Sequence, residues 1–184
     1  MNVYFDNAAT TKIRDEVIDN MSNVLKDCFG NPSSTHSYGR SSKSYIETSR
    51  KSIAKILNCD PGEIIFNSGG TESDNSILKC SVKDLGVKHI ISSKIEHHAI
   101  THTLDELKLK GVNVNYVKLS ENGNVDIDNL EYLLSSNDEP KLVTLMYINN
   151  EIGNILDVKY VSDLCQKYNS FFHTDAVHAV GHYK

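Results

Sequence analysis

Residues 66–75 read FNSGGTESDN and join two sequence patterns of different period. The apolar run 64–66 before them is typical of a short buried strand, and an amphipathic helical pattern begins at Thr71. Gly69 and Gly70 let the backbone approach a ligand closely, and the free N–H groups of a first helical turn attract an anion. Taken alone, the segment is either a phosphate-binding turn or an ordinary strand–helix loop capped by Thr71.

The composition is that of an ordinary globular chain. Of its 184 residues, 39% are hydrophobic and 23% are charged, and only three are proline. The net charge is −5 and no run of Lys or Arg occurs, which argues against nucleic acid or an anionic membrane as a partner. The sequence has neither a secretory signal nor an apolar stretch that could span a bilayer. We therefore expect a cytoplasmic protein.

The four cysteines are far apart in the sequence and form no CxxC pair. In a cytoplasmic chain we expect them to be reduced. Cys80 and Cys165 fit the buried faces of predicted helices, so we interpret them as core residues.

From residue 63 onward, strand-like runs alternate with helical stretches. The predicted strands are 63–67, 88–92, 113–119, 141–148 and 170–174, and the predicted helices are 71–85, 97–110, 126–134 and 157–168. Gly86 and Gly111 stand where helices are expected to end. This alternation predicts an α/β fold with a mostly parallel sheet flanked by helices. Two amphipathic helices precede it, so we divide the chain into an N-terminal segment, 1–62, and an α/β portion, 63–184.

In such a sheet, ligands bind at the carboxyl ends of the strands. Gly70 and Thr71 follow the first predicted strand, His97 the second, Asn150 the fourth, and Asp175 ends the fifth. A phosphate cradle, an imidazole, a carboxamide and a carboxylate would then converge on one crevice. This set suits a phosphorylated heteroaromatic cofactor, with Asp175 paired to a protonated ring nitrogen.

Simpler interpretations exist for several of these residues. Asp175 could cap the following helix, and Asn150 could serve only in a turn. His98 and His102 are four residues apart and could bind zinc, but no HExxH motif or third ligand is evident. We therefore expect no metal and interpret this histidine pair as exposed surface residues.

Six segments, in order, carry a family resemblance: DNAATT (6–11), GNPSS (30–34) with His36, SGGTESDN (68–75), EH (96–97), NNEIG (149–153) and DAV (175–177). The chain resembles the N-terminal part of the pyridoxal-phosphate cysteine desulfurases of the class V aminotransferase superfamily, which have the type I fold. The TESDN form is similar to the group I enzymes that supply sulfur for iron–sulfur cluster assembly.

The resemblance implies a role for each candidate. Gly70 and Thr71 hold the phosphate of pyridoxal 5'-phosphate, and Asp175 binds the pyridinium nitrogen. His97 stacks on the ring and is the candidate catalytic acid–base group. Asn150 approaches the phenolic oxygen of the ring.

His178 stands where the family usually has Gln, a donor to that same phenolic oxygen, and an imidazole donates there only in one tautomer or when charged. The family's Schiff-base lysine lies in a Ser-x-His-Lys segment that has no match here, and Lys184 does not take its place. None of the four cysteines matches the family's nucleophilic cysteine. We therefore expect a truncated chain, without the remaining large domain and the small C-terminal domain, that is inactive by itself.

The implied parent reaction converts L-cysteine to L-alanine and passes the sulfur to an enzyme cysteine as a persulfide. The implied partners are a second copy in a homodimer and an iron–sulfur scaffold or another sulfur acceptor protein. The alternatives are a selenocysteine or cystine lyase of the same superfamily, and a non-catalytic remnant or interaction module. Exposure of the missing interfaces predicts poor solubility or abnormal self-association of the isolated chain.

Overall fold

The computed structural model describes residues 1–182, which form two compact units; the first comprises residues 1–66 and the second begins at Asn67. The first unit contains helices α1 (Asp15–Asp27) and α2 (Ser37–Leu57) and a 3-10 turn, Pro61–Glu63. The α1 helix has acidic residues in its first turn and Lys26 in its last, which suits the helix dipole. The two helices predicted in this part of the sequence are therefore confirmed.

The second unit alternates helices and strands in the order α3 (Gly70–Asp84), β1 (His89–Ser92), α4 (His98–Leu109), β2 (Asn113–Tyr116), α5 (Ile127–Ser135), β3 (Lys141–Thr144), α6 (Val158–Lys167) and β4 (Phe171–His173). The strand order is β2-β1-β3-β4, and every neighbouring pair is parallel. This confirms the predicted α/β class with a parallel sheet flanked by helices. Gly86 and Gly111 follow α3 and α4 with positive φ, as the predicted helix ends require.

The predicted strand 63–67 is wrong. Residues 64–66 lie outside the sheet, and the side chain of Ile65 is 81% exposed. The Arg50 guanidinium donates to the carbonyl oxygen of Ile64 and lies 4.8 Å from the centre of the Phe66 ring. A side chain therefore satisfies a backbone group that a neighbouring strand would otherwise have to pair.

Two apolar clusters cover the two faces of the sheet. Ile90 and Leu142 pack with residues of α3 and α4, whereas their neighbours Ile91 and Val143 pack with residues of α5 and α6. Adjacent residues of a strand point to opposite faces, so each of these strand pairs serves both layers. The sheet is thereby fixed between two helical layers, and its carboxyl edge is held in place for a site.

The two cysteines predicted to be buried differ. Cys165 on α6 is buried, as predicted, but Cys80 on α3 is exposed. The buried residues of α3 are Asp74, Leu78 and Ser81, and Cys80 is two positions from Leu78, which places it on the opposite side of the helix. No helix among residues 1–182 is long and apolar enough to cross a membrane.

Candidate functional site

A cavity of about 140 Å³ lies in the second unit, at the carboxyl edge of the sheet. His97 follows β1, Met146 follows β3 and Asp175 follows β4, and the N-terminus of α3 completes the wall. The lining comprises Gly70, Thr71, Asp74, His97, Met146, Asp175, Val177 and His178. Five of the six predicted site residues therefore meet at one place, and Asn150 is the one that does not line this cavity.

The N-terminus of α3 presents free backbone donors. The N–H groups of Glu72 and Ser73 donate to the Gly69 carbonyl oxygen at 3.1 and 3.2 Å. The N–H groups of Gly70 and Thr71 have no acceptor within residues 1–182. Gly69 has φ +152°, a value that L side chains rarely adopt. Two unpaired donors at a helix start, where the dipole is positive, suit an anion such as a phosphate.

Gly70 also lies close to the loop after β4. A Cβ atom at this position would lie 2.7 Å from the Cγ2 atom of Val177, and both residues line the cavity. The absence of a side chain lets the loop after β4 approach the first turn of α3. The site is therefore shaped by a close contact between two segments about 100 residues apart in the sequence.

Asp175 is buried and fixed by the backbone around it. Its Oδ1 atom accepts a hydrogen bond from the Val177 N–H at 3.0 Å, and its carbonyl oxygen accepts one from the Tyr147 N–H at 2.9 Å. The carboxyl thus caps the following turn, as the simpler interpretation of the sequence proposed, and also lines the cavity. Capping and ligand binding use different lone pairs of the same carboxylate.

Asp74 is a cavity residue that the sequence interpretation missed. It is buried, and its Oδ1 lies 3.6 Å from the Nε2 atom of His173, whose Nδ1 is 2.9 Å from the Thr144 hydroxyl. Burial and then the negative charge of Asp175 raise the pKa of Asp74 to about 6. The available signal was helical spacing, because Asp74 is four residues after Gly70 on the face that also carries Leu78.

His97 caps the N-terminus of α4 and is exposed. Its Nδ1 accepts a hydrogen bond from the Ala99 N–H at 3.1 Å. The neutral ring consequently carries its proton on Nε2. The histidines that follow, His98 and His102, stack with their ring centres 5.2 Å apart and are both exposed, as predicted for this pair.

Glu96, next to His97, is buried and does not line this cavity. Its Oε1 accepts a hydrogen bond from the Ser93 hydroxyl at 2.5 Å. Burial raises the pKa of this carboxyl to about 7, and the negative charges of Asp175 and Asp74 add to the effect. Three carboxyl groups that influence one another electrostatically therefore lie at the same edge of the sheet.

The loop 149–153 is organised by Asn149 rather than by Asn150. The Asn149 Nδ2 donates to the Ile95 carbonyl oxygen at 2.7 Å, and its Oδ1 accepts from the N–H groups of Glu151 and Ile152. Asn149 therefore ties this loop to the segment that carries His97. Asn150 is half-buried beside it, and its contact with a ring oxygen stays a prediction.

The chain matches the family described as aminotransferase class V over residues 3–184. It belongs to this family. A cysteine desulfurase IscS from Dictyoglomus turgidum is 43% identical over 182 residues, covering 98% of this chain and 46% of the relative. A cysteine desulfurase IscS from Clostridium botulinum is 42% identical over 183 residues, which cover 98% of this chain and 45% of that relative.

Solved structures agree with this class V aminotransferase assignment. A NifS-like protein superposes with a TM-score of 0.92 at 39% identity, covering 98% of this chain and 50% of that chain. DndA from Streptomyces lividans superposes with a TM-score of 0.82 at 32% identity, covering 97% of this chain and 50% of the DndA chain. The chain spans about half the length of the curated relatives it matches. The predicted relationship to the cysteine desulfurases, a family that depends on pyridoxal phosphate, is confirmed.

Proposed function

We propose that this chain provides the pyridoxal-phosphate cradle of a cysteine desulfurase. The observation that carries the proposal is the convergence of Gly70, Thr71, His97, Asp175 and His178 on one cavity. These residues come from three separate segments of the chain. The relatives named cysteine desulfurase, at 42% and 43% identity, support the same conclusion.

The residues present fit the cofactor. The unpaired N–H groups of Gly70 and Thr71, with the Thr71 hydroxyl, supply the donors that a phosphate needs. The buried carboxyl of Asp175 suits a protonated ring nitrogen, because an opposite charge stabilises an otherwise costly buried carboxylate.

His97 would stack on the ring, and His178 and Asn150 would donate to its phenolic oxygen. The accessible position of His97 at the cavity allows the first of these roles. His178 lines the cavity, which supports a donor role for its imidazole in place of the usual Gln.

When bound, pyridoxal phosphate supplies an electron sink for reactions of an amino acid. The chain's own residues would hold the cofactor, orient it and manage protons. His97 accepts the Ala99 N–H at Nδ1, so the proton that it can deliver to a substrate is the one on Nε2. Asp175 would keep the ring nitrogen in its charged form through a carboxylate fixed by the Val177 N–H.

For the whole enzyme we propose the conversion of L-cysteine to L-alanine, with the sulfur transferred to an enzyme cysteine as a persulfide. The proposed assembly is a homodimer that delivers sulfur to an iron–sulfur scaffold or to another acceptor protein. The support for these steps is the relationship to the named cysteine desulfurases. The cytoplasmic location stays a prediction.

The test is to titrate the purified 184-residue chain with pyridoxal phosphate and follow its visible absorbance. Pyridoxal, which lacks the phosphate, is the matched control ligand. We expect saturable binding of pyridoxal phosphate that is at least about tenfold tighter than binding of pyridoxal, because the α3 donors recognise the phosphate. Equal affinity for the two ligands, or no saturable binding, would contradict the proposal and favour the interaction-module alternative.

Reduction with borohydride followed by mass measurement of the intact protein extends this test. Among residues 1–182, no lysine lines the cavity. We therefore expect that reduction traps no stoichiometric cofactor adduct on any single lysine of the chain. A stoichiometric adduct on one lysine would show that the covalent anchor lies within these 184 residues, contrary to this assignment.

A further inference from the structure

Two carboxyl groups line the cavity without a Lys or Arg partner among residues 1–182. Asp74 is 4% exposed and Asp175 is 6% exposed. Within residues 1–182, every ion pair made by a Lys or Arg side chain involves another acidic residue, and none reaches either of these two. Buried carboxylates are costly unless a cation or hydrogen-bond donors compensate them. The Lys and Arg side chains of residues 1–182 therefore do not neutralise these carboxyls, and a cationic ligand could do so.

The titratable groups around Asp74 do not remove this deficit. His173 is the nearest, with its Nε2 at 3.6 Å from the Asp74 carboxyl, which is too long for a hydrogen bond. Burial lowers the pKa of His173, so its ring is neutral near pH 7. The other groups that face Asp74 or line the same cavity are Asp175, Glu96, His97 and His178.

Resting on the proposed function, we infer that Asp74 is a second carboxylate of the cofactor cavity and acts together with Asp175 to favour a protonated ring nitrogen. The two carboxyls reach the cavity from different elements: Asp74 from the second turn of α3, and Asp175 from the loop after β4. The His173–Thr144 contact holds a neutral imidazole beside Asp74, with its Nε2 atom 3.6 Å from that carboxyl. Asp74 is therefore a positioning and charge-tuning residue of this site.

The physical consequence concerns protons. A cationic nitrogen placed beside two carboxylates gains proton affinity from both, and each nearby opposite charge shifts a pKa by about one unit or more. The pKa of a basic ring nitrogen should therefore be higher in the bound ligand than in the free ligand. At a pH above the pKa of the free ring, binding should then be accompanied by proton uptake on the ring. A ligand of the same shape without that nitrogen should gain nothing from Asp74.

The experiment compares pyridoxal phosphate with its analogue in which the ring nitrogen is replaced by C–H. Both are titrated at pH 8 into the unmodified 184-residue chain, into Asp74→Asn and into Asp84→Asn. Asp84 ends the same helix and is exposed, so it controls for the loss of one negative charge from α3. We expect Asp74→Asn to weaken binding of pyridoxal phosphate about tenfold, equivalent to one pKa unit, and to leave the analogue within about twofold. Asp84→Asn should change neither ligand.

A second readout is the number of protons taken up on binding, obtained by calorimetry in two buffers of different ionisation enthalpy. We expect less proton uptake with Asp74→Asn than with the unmodified chain. Equal weakening of both ligands, or unchanged proton uptake, would overturn the role of Asp74 while leaving the cradle assignment standing. Failure of the unmodified chain to bind either ligand would instead overturn the proposed function itself.

Discussion

The two edges of the central sheet bury titratable groups of opposite kinds. At the amino edge, β1 begins with His89 and β3 begins with Lys141, which are register partners and are both buried. At the carboxyl edge, the buried groups are the carboxyls of Asp74, Glu96 and Asp175. The buried titratable groups at the amino edge are bases, whereas those at the carboxyl edge are acids.

The edges also differ in how their charges are compensated. The Lys141 ammonium donates to the carbonyl oxygens of Asn137 and Glu139, a few residues away in the chain. Asp74 and Asp175 have no cationic side chain of residues 1–182 in an ion pair. A charge compensated by local backbone stabilises the fold, whereas carboxyls that line a cavity without a Lys or Arg partner are available to a cationic ligand.

The largest expected effect comes from reversing the charge at the amino edge. Lys141→Glu places a carboxylate against the carbonyl oxygens of Asn137 and Glu139. We expect it to lower the free energy of unfolding by about 4 kcal/mol, measured by urea denaturation, because a buried charge is left unpaired. Lys141→Met keeps the apolar stem and is the matched control with a smaller loss. Similar losses for the two variants would show that the sign of the charge does not matter at this edge.

At the carboxyl edge we expect stabilisation when a carboxyl is neutralised. The folded-state pKa of Asp74, about 6, is above the ordinary aspartate value of 3.8. The stability that protonated Asp74 contributes is present below pH 3.8 and is lost as the pH rises through about 6. Asp74→Asn should therefore raise the free energy of unfolding by up to about 3 kcal/mol at pH 8. The gain should disappear near pH 4, and a destabilised variant at pH 8 would contradict this explanation.

An intermediate effect is expected at Gly70, on ligand binding rather than on stability. The Cβ atom of Gly70→Ala would meet the Cγ2 atom of Val177, whose exposed side chain can shift to relieve the contact. We expect the free energy of unfolding to change by less than about 1 kcal/mol. We expect the affinity for pyridoxal phosphate to fall about tenfold, because both residues shape the cavity. Gly62→Ala is the control, because nothing lies within 4 Å of a Cβ atom there. Unchanged affinity in Gly70→Ala would weaken the cradle assignment.

The smallest effect is expected from His89, and it has the opposite pH dependence to Asp74. Burial lowers the pKa of His89 below its usual 6.5, so the unfolded chain takes up a proton there before the folded chain does. The stability that His89 contributes is present above pH 6.5 and is lost as the pH falls through the folded-state pKa. Between pH 7.5 and pH 5, His89→Asn should thus lose less stability than the unmodified chain. The measurement is the free energy of unfolding from urea denaturation at the two pH values. An equal decrease for the variant and the unmodified chain would contradict this.

The comparison also explains which parts of the site the sequence could predict. Gly70, Thr71, His97 and Asp175 were predicted because each follows a strand-like run or opens a helix, and parallel strands bring their carboxyl ends together. His178 was predicted only from the resemblance to the cysteine desulfurases. The first predicted strand, 63–67, was wrong because an apolar run of three residues has no clear period and Arg50, from another helix, binds its backbone.

Asp74 and Cys80 show where periodicity stops being informative. Both lie within α3, whose helical pattern was predicted, but the sequence does not state which face the sheet covers. Burial placed Asp74 inside and Cys80 outside, contrary to the usual preference of these residue types.

The alternation of helices and strands and the parallel sheet followed from local patterns, because hydrophobic period and turn residues act over a few positions along the chain. The family resemblance then indicated most of the cavity residues. The shared acidic cavity did not follow from local patterns, because it depends on the distance between the second turn of α3 and the loop after β4, about 100 residues apart. Electrostatic coupling depends on separation in space and on burial, and both arise only when the chain has packed.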